Sequence, residues 1–412
     1  GSPKKVKNSA RNRFLLSLAV VAGCFSLEAA STDGNVLMEY LMRSAMLVPN
    51  DLSLSLSQDF RYNDNIDETS RGSRSGSWIN ETSASLALTR DIDHFTYGLK
   101  LNGGYEHYFH RRKDDDTSDF SYSIAPVMLG ELPFLGGKLM ISMSSSHDRE
   151  NIDDSRSQTT GVFRNNLKLA WDCQLTAHIS VITAGTLESE RYTESQFKDL
   201  DNEKYGVSVS PAYRYSDRTR GGATFGIARN SYRRHTSHDD YDDVKIGAFV
   251  EHLASERTAT WFEGGATRLY YKNNSISDRN DHSDDWEPYF RVRAAYQALD
   301  DLSFGLALSR DIDDSSSVGA RGPRVVYELA ATTTWEATAR LTLVHKLGFS
   351  RKDEKICRDD YDRYESDLQL RYRGGHGMTY YAGWTFSDAC YKRRSSRNYV
   401  ENEWRIGLKF DY

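Results

Sequence analysis

The chain has 412 residues, of which 53 are basic, 59 acidic and only 38% hydrophobic, and its net charge of −6 argues against a nucleic-acid partner, for which a basic footprint is expected. Outside one short N-terminal run, no apolar stretch approaches the roughly 18 residues needed for a transmembrane helix. A water-soluble protein of this length should also show helical periodicity or solid apolar strands, and neither is present.

Residues 1–30 read as an export leader. Lys4, Lys5, Lys7, Arg11 and Arg13 supply a basic start, and residues 14–27 supply an apolar run too short to anchor in a bilayer. The small residues Ser26, Ala29 and Ala30 follow, although Leu27 or Glu28 at the third position before the cut is a poor fit to a cleavage site. Val21-Ala22-Gly23-Cys24 also fits a lipoprotein processing box, in which Cys24 would be acylated; the alternative is that Cys24 is an incidental residue of the apolar run. On either reading the chain leaves the cytoplasm. The leader holds five of the basic residues and one acid, so the remainder carries 48 basic against 58 acidic residues, or −10.

Alternation sets in at Leu52 and runs to the last residue. Leu52, Leu54, Leu56, Phe60 and Tyr62 alternate with Ser53, Ser55, Ser57 and Arg61. A long polar stretch follows at 63–76, then a strand around 78–90 that ends in a tight turn at 91–94. A third strand at 95–109 leads to a polar stretch at 110–119 and a fourth strand at 120–129. Further short turns fall near 132–137, 174–177, 217–219, 254–256, 299–301, 336–338 and 374–377. Further long polar segments fall near 149–160, 192–204, 234–243, 273–284, 313–323, 353–362 and 391–398. This predicts about eighteen strands (16–18), each roughly ten to fourteen residues long, as tilted bilayer-spanning strands require.

Turn length sorted by parity is the informative feature. Sandwiches and propellers have no reason to separate short turns from long loops, whereas transmembrane barrels do, with short periplasmic turns and long external loops. The expected fold is therefore all-β, a transmembrane antiparallel up-and-down barrel over residues 51–412 with outer-membrane lipid around it. Both of its ends would lie in the periplasm. Residues 31–50 are expected to be a periplasmic segment, read either as a flexible leader or as a short pore-plugging helix. Trp78, Trp171, Trp286, Trp335, Tyr296, Tyr372 and Trp404 fall toward strand ends, where the aromatic girdles of such a barrel would lie.

Two segments carry resemblances. Gly407-Leu408-Lys409-Phe410-Asp411-Tyr412 resembles the terminal strand signal read by the outer-membrane barrel-assembly machinery, with Gly407, Leu408, Phe410 and Tyr412 as its signal residues and Tyr in place of the more usual final Phe. Leu52 to Ile66, with its Ser/Leu alternation running into Tyr62-Asn63-Asp64-Asn65, is similar to the opening strand of the β-barrel porin 2 family. That resemblance implies a porin-like barrel, with exopolysaccharide export linked to some members, and transfers no catalytic residue.

Eighteen strands should leave an aqueous lumen. The period-two assignment turns Lys100, Arg164, Lys168, Arg214, Lys245, Arg291, Arg293, Arg340, Lys346, Arg371, Arg373, Arg405 and Lys409 inward, together with Glu106, Glu188, Glu190, Glu251, Glu263, Glu328, Glu365, Asp367 and Glu403. Thirteen basic against nine acidic positions favour small anionic solutes or an acidic glycan, unless the two signs pair across the lumen and block it. The acidic loop clusters at Asp114–Asp116, Asp239, Asp240, Asp242, Asp243, Asp359, Asp360 and Asp362 match no calcium-binding repeat, and solvated loops explain them as well as metal binding does. His107, His110, His147, His235 and His238 fall near external strand ends with acids close by but without catalytic spacing, so no enzyme, no cofactor and no metal are expected. A rim-located hydrolase is the third alternative, after the channel and the blocked structural or surface-interaction barrel. Cys357 and Cys390 lie in segments that a meander makes neighbours, and a disulfide there suits an oxidising compartment; two free thiols are the alternative. Cys173 has no evident partner. Oligomeric state is left open.

Overall fold

The computed structural model describes residues 52–65, 76–109, 118–131, 137–153, 156–233, 240–272, 285–314, 323–354, 360–392 and 398–412. The expected leader at 1–30, the segment at 31–50 and Cys24 all lie outside these residues. Among the described residues there are eighteen strands. In the first third come β1 (Leu52–Asn63), β2 (Ser77–Ile92), β3 (Phe95–Tyr108), β4 (Ser118–Glu131), β5 (Lys138–Asp153) and β6 (Arg156–Gln174). The middle third holds β7 (Ile179–Tyr192), β8 (Asn202–Ser216), β9 (Thr219–Tyr232), β10 (Tyr241–Ser255), β11 (Thr258–Tyr271) and β12 (Glu287–Leu299). The last third holds β13 (Leu302–Asp314), β14 (Pro323–Trp335), β15 (Leu341–Glu354), β16 (Tyr361–Arg373), β17 (Met378–Tyr391) and β18 (Tyr399–Asp411).

Every strand pairs antiparallel with its sequence neighbours, and β18 pairs with β1, so the sheet is closed. Closure removes the two edges that an open sheet would leave with unpaired N–H and C=O groups, which hydrocarbon cannot satisfy. The seam is in register from Ser55 opposite Asp411 to Asn63 opposite Glu403, and Tyr412 exchanges both backbone hydrogen bonds with Leu54 at 2.8 and 3.0 Å. At the other end of the seam the Asn63-Asp64-Asn65 run ties the two strands together. Asp64 accepts from the Asn402 backbone N–H at 2.6 Å and from its side chain at 3.0 Å, while the Asn65 amide donates to the Val400 carbonyl at 3.1 Å.

Turn length sorts as the sequence reading expects. Two-residue turns at 93–94, 217–218, 256–257 and 300–301 join strands at one end of the barrel. The 374–377 turn carries His376 and Gly377 at φ of 58° and 77°, the positive-φ pair that suits a tight hairpin, and a Cβ on Gly377 would stand 2.1 Å from the Asp411 carbonyl. Two long segments depart from expectation. The stretch at 149–160 is mostly ladder rather than loop, because β5 and β6 stay paired out to Asp153 opposite Arg156. Backbone pairing needs no apolar face, so a hairpin can outrun the alternation that marks its membrane-depth part. The segment between β7 and β8 holds a 3₁₀ turn, Ser195–Leu200, whose Phe197 and Leu200 pack on Val162 and Tyr192. Strands run from 12 residues in β1 to 19 in β6, longer than expected for the same reason.

The two faces of the wall are chemically opposite. Leu54, Leu56, Phe60, Leu86, Leu88, Leu167, Leu169, Val207, Ile227, Ile246, Phe262, Leu306, Leu347, Leu368, Ile406 and Leu408 are all exposed on the convex face, Ile406 at 62%. A soluble fold would bury these side chains; a wall facing lipid must show them. Aromatic residues border this band at both ends. Trp78, Trp404 and Trp286 lie at the long-loop end, while Trp335, Tyr296, Tyr372 and Tyr215 lie at the short-turn end.

Candidate pore lining

Ion pairs identify the concave face independently of exposure. Arg220 on β9 reaches Asp172 on β6 at 3.1 Å and Glu251 on β10 at 3.3 Å. Lys245 on β10 lies 3.7 Å from Asp311 on β13, which also pairs with Arg291 of β12. Side chains separated by three strands can meet only inside the curvature. The residues sharing their pleat alternate with the exposed apolar ones, so the register assigns a face to every strand position.

Three charged groupings line this face. Behind the seam, Arg61 of β1 pairs with Glu106 and stands 3.1 Å from Glu81 and 3.5 Å from Glu403; Arg405 pairs with Asp367 at 2.6 Å. Gly407 clears space here, because a Cβ would stand 2.1 Å from an Asp59 carboxylate oxygen and 2.5 Å from the Tyr381 ring. On β6 to β8, Arg164 pairs with Glu190 at 2.9 Å and the Asn166 amide donates to Glu188 at 2.9 Å. On β10 to β13, Tyr289 donates to the fully buried Glu263 at 2.9 Å, Lys245 lies 4.8 Å from the Tyr289 ring centroid, and Arg293 lies 5.8 Å from that of Trp261. Each arginine thus finds a carboxylate or an aromatic face, as partly desolvated guanidinium groups require.

The register places Lys100, Arg164, Lys168, Arg214, Lys245, Arg291, Arg293, Lys346, Arg371, Arg373, Arg405 and Lys409 on the concave face. It places Glu106, Glu188, Glu190, Glu251, Glu263, Glu328, Glu365, Asp367 and Glu403 there too. Arg340 is corrected: it lies exposed in the turn at 336–340, where its carbonyl accepts from the Arg373 N–H, so strand parity does not apply to it. Further charged residues share this face with those expected. Asp59, Glu81, Asp172, Asp243, Asp311 and Glu401 share the concave face, and Arg61, Lys204, Arg220, Arg324, Lys352 and Arg363 join them. With these the named positions on the wall carry both signs, eighteen basic (twelve and six) against fifteen acidic (nine and six). They are legible from the same alternation, since each stands an odd number of steps from an exposed apolar residue of its own strand. Exposed basic groups concentrate at the short-turn mouth, at Arg214, Arg371 and Arg373.

The remaining expected sites resolve as follows. His107 and His147 stand on the convex face among aromatics: His107 packs edge-on to Phe109, and His147 lies between Tyr122 and Phe163. His110, His235, His238, Cys357, Asp239, Asp359 and the Asp114–Asp116 cluster lie outside the described residues, so the expected Cys357–Cys390 bridge does too. The Cys390 thiol donates to Asp388 at 3.6 Å, and Cys173 is buried. Asp242 pairs with Lys272 at 3.1 Å, and the Asp243 carboxylate accepts from Thr267 at 2.6 Å. No group of three or more metal-ligating side chains occurs among the described residues.

A closed antiparallel sheet with an apolar exterior, aromatic borders and a charged interior defines a transmembrane β-barrel. No family model matches the chain, and no curated protein matches it either. Among solved structures it is similar to OccK2 (OpdF) of Pseudomonas aeruginosa, with 11% identity, a TM-score of 0.48, and coverage of 88% of this chain and 99% of that one. OccAB4 of Acinetobacter baumannii gives 12% identity, a TM-score of 0.47 and coverage of 88% and 99%. The outer membrane protein OpdK of P. aeruginosa gives 10%, 0.46, and 88% and 98%. At these values the likenesses carry no argument about this chain.

Proposed function

We propose that this protein is a porin-like channel that lets small hydrophilic solutes cross an outer membrane by diffusion. The observation that carries this reading is the inversion of the wall: an eighteen-strand closed sheet, apolar outside and lined inside with charged and hydroxyl side chains. Barrels of 16–18 strands leave an aqueous interior. Its lining holds fixed charges of both signs in ion pairs along the wall, which leaves the water column between them to solutes. Exposed Arg214, Arg371 and Arg373 at the short-turn mouth favour anions among those solutes. Nothing in the lining favours the polymer export linked to the resembled family. The experiment is reconstitution in planar bilayers under a salt gradient. Steady open levels with a reversal potential on the anion side support the reading, and clear cation selectivity removes the anion preference.

One observation favours a second reading, a barrel whose lumen is blocked. Trp261, Tyr289 and Glu263 on the concave face are fully buried, and Phe249 of β10 packs on Ile182 of β7 and Ala212 of β8. One side of the interior is therefore filled by side chains. The same bilayer measurement separates the two, since a blocked barrel shows insertion without a steady open level.

A further inference from the structure

The convex face carries charge where a lipid-facing wall should not, and it does so in a repeat. Arg229 on β9, Arg268 on β11 and Arg351 on β15 each stand three residues before the long-loop end of their strand, and Arg310 on β13 stands four before it. Arg191 on β7 stands one before the end of its strand. All five face outward by register: Arg229 continues the face of Phe225 and Ile227, Arg268 that of Phe262, and Arg310 that of Phe304, Leu306 and Leu308. Alternate strands lie about 10 Å apart, so the arginines form a comb along the outer rim.

Lipid explains the height of the comb. A cationic side chain at the midplane of a barrel exterior costs about 2–4 kcal/mol, falling to about 0–1 near the interface, so all five sit at the only depth where they are tolerated. Tyrosines stand beside them. The Arg268 guanidinium lies 4.4 Å from the Tyr270 ring centroid, and Arg310 donates to the Tyr327 hydroxyl at 3.3 Å. Some of the charge is matched: Arg191 pairs with Glu203, Arg310 with Glu287 at 2.9 Å, and Arg351 with Asp353 at 2.8 Å. Arg229 is exposed and Arg191, Arg268, Arg310 and Arg351 are partly exposed, so their guanidinium groups can reach acceptor oxygens at the membrane surface. A guanidinium fork fits a phosphate in two parallel hydrogen bonds, and a phosphate with no tethered ammonium group keeps its full charge for that contact.

We infer that the comb Arg191, Arg229, Arg268, Arg310 and Arg351 binds the phosphate groups of anionic lipid headgroups in the leaflet on the long-loop side. This rests on the membrane-barrel reading above and adds a lipid preference confined to the β7–β15 arc. Among the side chains described on the opposite arc, the outward ones at that height are Tyr62, Trp78, His107, Phe109, Phe120, Tyr122, His147, Phe163, Asp388 and Trp404, and none is an arginine.

The test is native mass spectrometry of the full chain, folded in detergent micelles, with three probes: diphosphoryl lipid A, the same lipid dephosphorylated, and phosphatidylcholine. The proposal expects wild type to prefer diphosphoryl lipid A over both others. Arg229→Gln/Arg268→Gln/Arg310→Gln/Arg351→Gln should weaken that binding about tenfold or more, at about 1 kcal/mol per basic group near an anionic surface. Phe120→Leu/Tyr122→Leu on the other arc should leave the preference intact. Equal binding of all three lipids by wild type, or unchanged binding by the quadruple variant, overturns the proposal. If the quadruple variant does not fold, Arg229→Gln/Arg268→Gln is read by the same criteria, with an expected loss of about fivefold or more. Folding is followed by heat-dependent migration in detergent gels and by insertion into phosphatidylcholine vesicles. A chain that fails both sinks the membrane reading itself, whereas a chain that inserts without lipid preference sinks only the comb.

Discussion

The two arcs of the barrel meet the same interface with different chemistry. From β18 through β1 to β6, the described side chains of the outer rim at the long-loop end are mostly aromatic: Tyr62 stacks on Trp404 with centroids 6.0 Å apart and tilts on Trp78 at 5.1 Å, and Tyr122, His147 and Phe163 continue the row. From β7 to β15 the same height carries arginines between tyrosines. An aromatic ring satisfies an interface by being half apolar and half polar. A guanidinium on an aliphatic stem does so by reaching outward to whatever anion is there. The first is indifferent to the headgroup and the second is not. One barrel can therefore hold its depth in any bilayer with one arc and choose its neighbours with the other.

The concave side behind each arc differs as well, and breaking it gives the largest expected effect. Behind the aromatic arc, Arg61 is the shared partner of Glu81, Glu106 and Glu403. Arg61→Ala leaves three crowded carboxylates and should cost about 3–5 kcal/mol, the range for breaking a buried pair, measured by urea unfolding from lipid vesicles. A cost under about 1 kcal/mol would show that lumen water already screens this cluster.

Depth is the next comparison to sharpen. Ile246, at mid-strand on β10, shares its face with the exposed apolar band. Ile246→Arg should lose about 2–4 kcal/mol, whereas Phe60→Arg, three residues from the long-loop end of β1, should lose about 1 kcal/mol or less from charge. Equal losses at the two depths would refute the assignment of the rim to an interface. At the turn mouth, Gly377→Ala forces a side chain into positive φ against the Asp411 carbonyl and should cost about 1–3 kcal/mol, read as a lowered unfolding midpoint.

The smallest effects separate the arcs themselves. Trp78→Ala should cost about 0.5–1.5 kcal/mol beyond the area it uncovers, through its contact with Tyr62. That loss should be the same in neutral and in anionic vesicles. Arg229→Gln should change stability by less than about 0.5 kcal/mol in neutral vesicles and by about 1 kcal/mol in anionic ones. A loss independent of lipid charge would make Arg229 an ordinary rim residue.

Much of this molecule is written in local patterns. Alternation in Leu52–Tyr62 or Trp404–Tyr412 assigns faces because side chains flip at every step of a strand, whatever the strand pairs with. Turn lengths are equally local, which is why strand number and parity could be read without knowing a single contact. Alternation also reached the inner charges, apart from Arg340, whose turn breaks the phase, and the end-of-strand acids such as Glu81 and Asp311. It failed at 149–160, where a ladder continues through residues that no longer alternate.

Closure decided the rest. Which carboxylate answers Arg220 or Lys245 depends on curvature that brings β6 to β9 and β10 to β13, and those partners are 48 and 66 residues apart in the chain. Gly407 matters because Asp59 and Tyr381 cross in front of it, and the three meet only when β18 closes on β1. The arginine comb follows the same rule. Each tooth reads in sequence as an isolated charge near a strand end, and only the closed sheet gathers the five on alternate strands of one arc at its long-loop end. Period and turn chemistry are properties of neighbouring residues; register and curvature belong to the closed sheet.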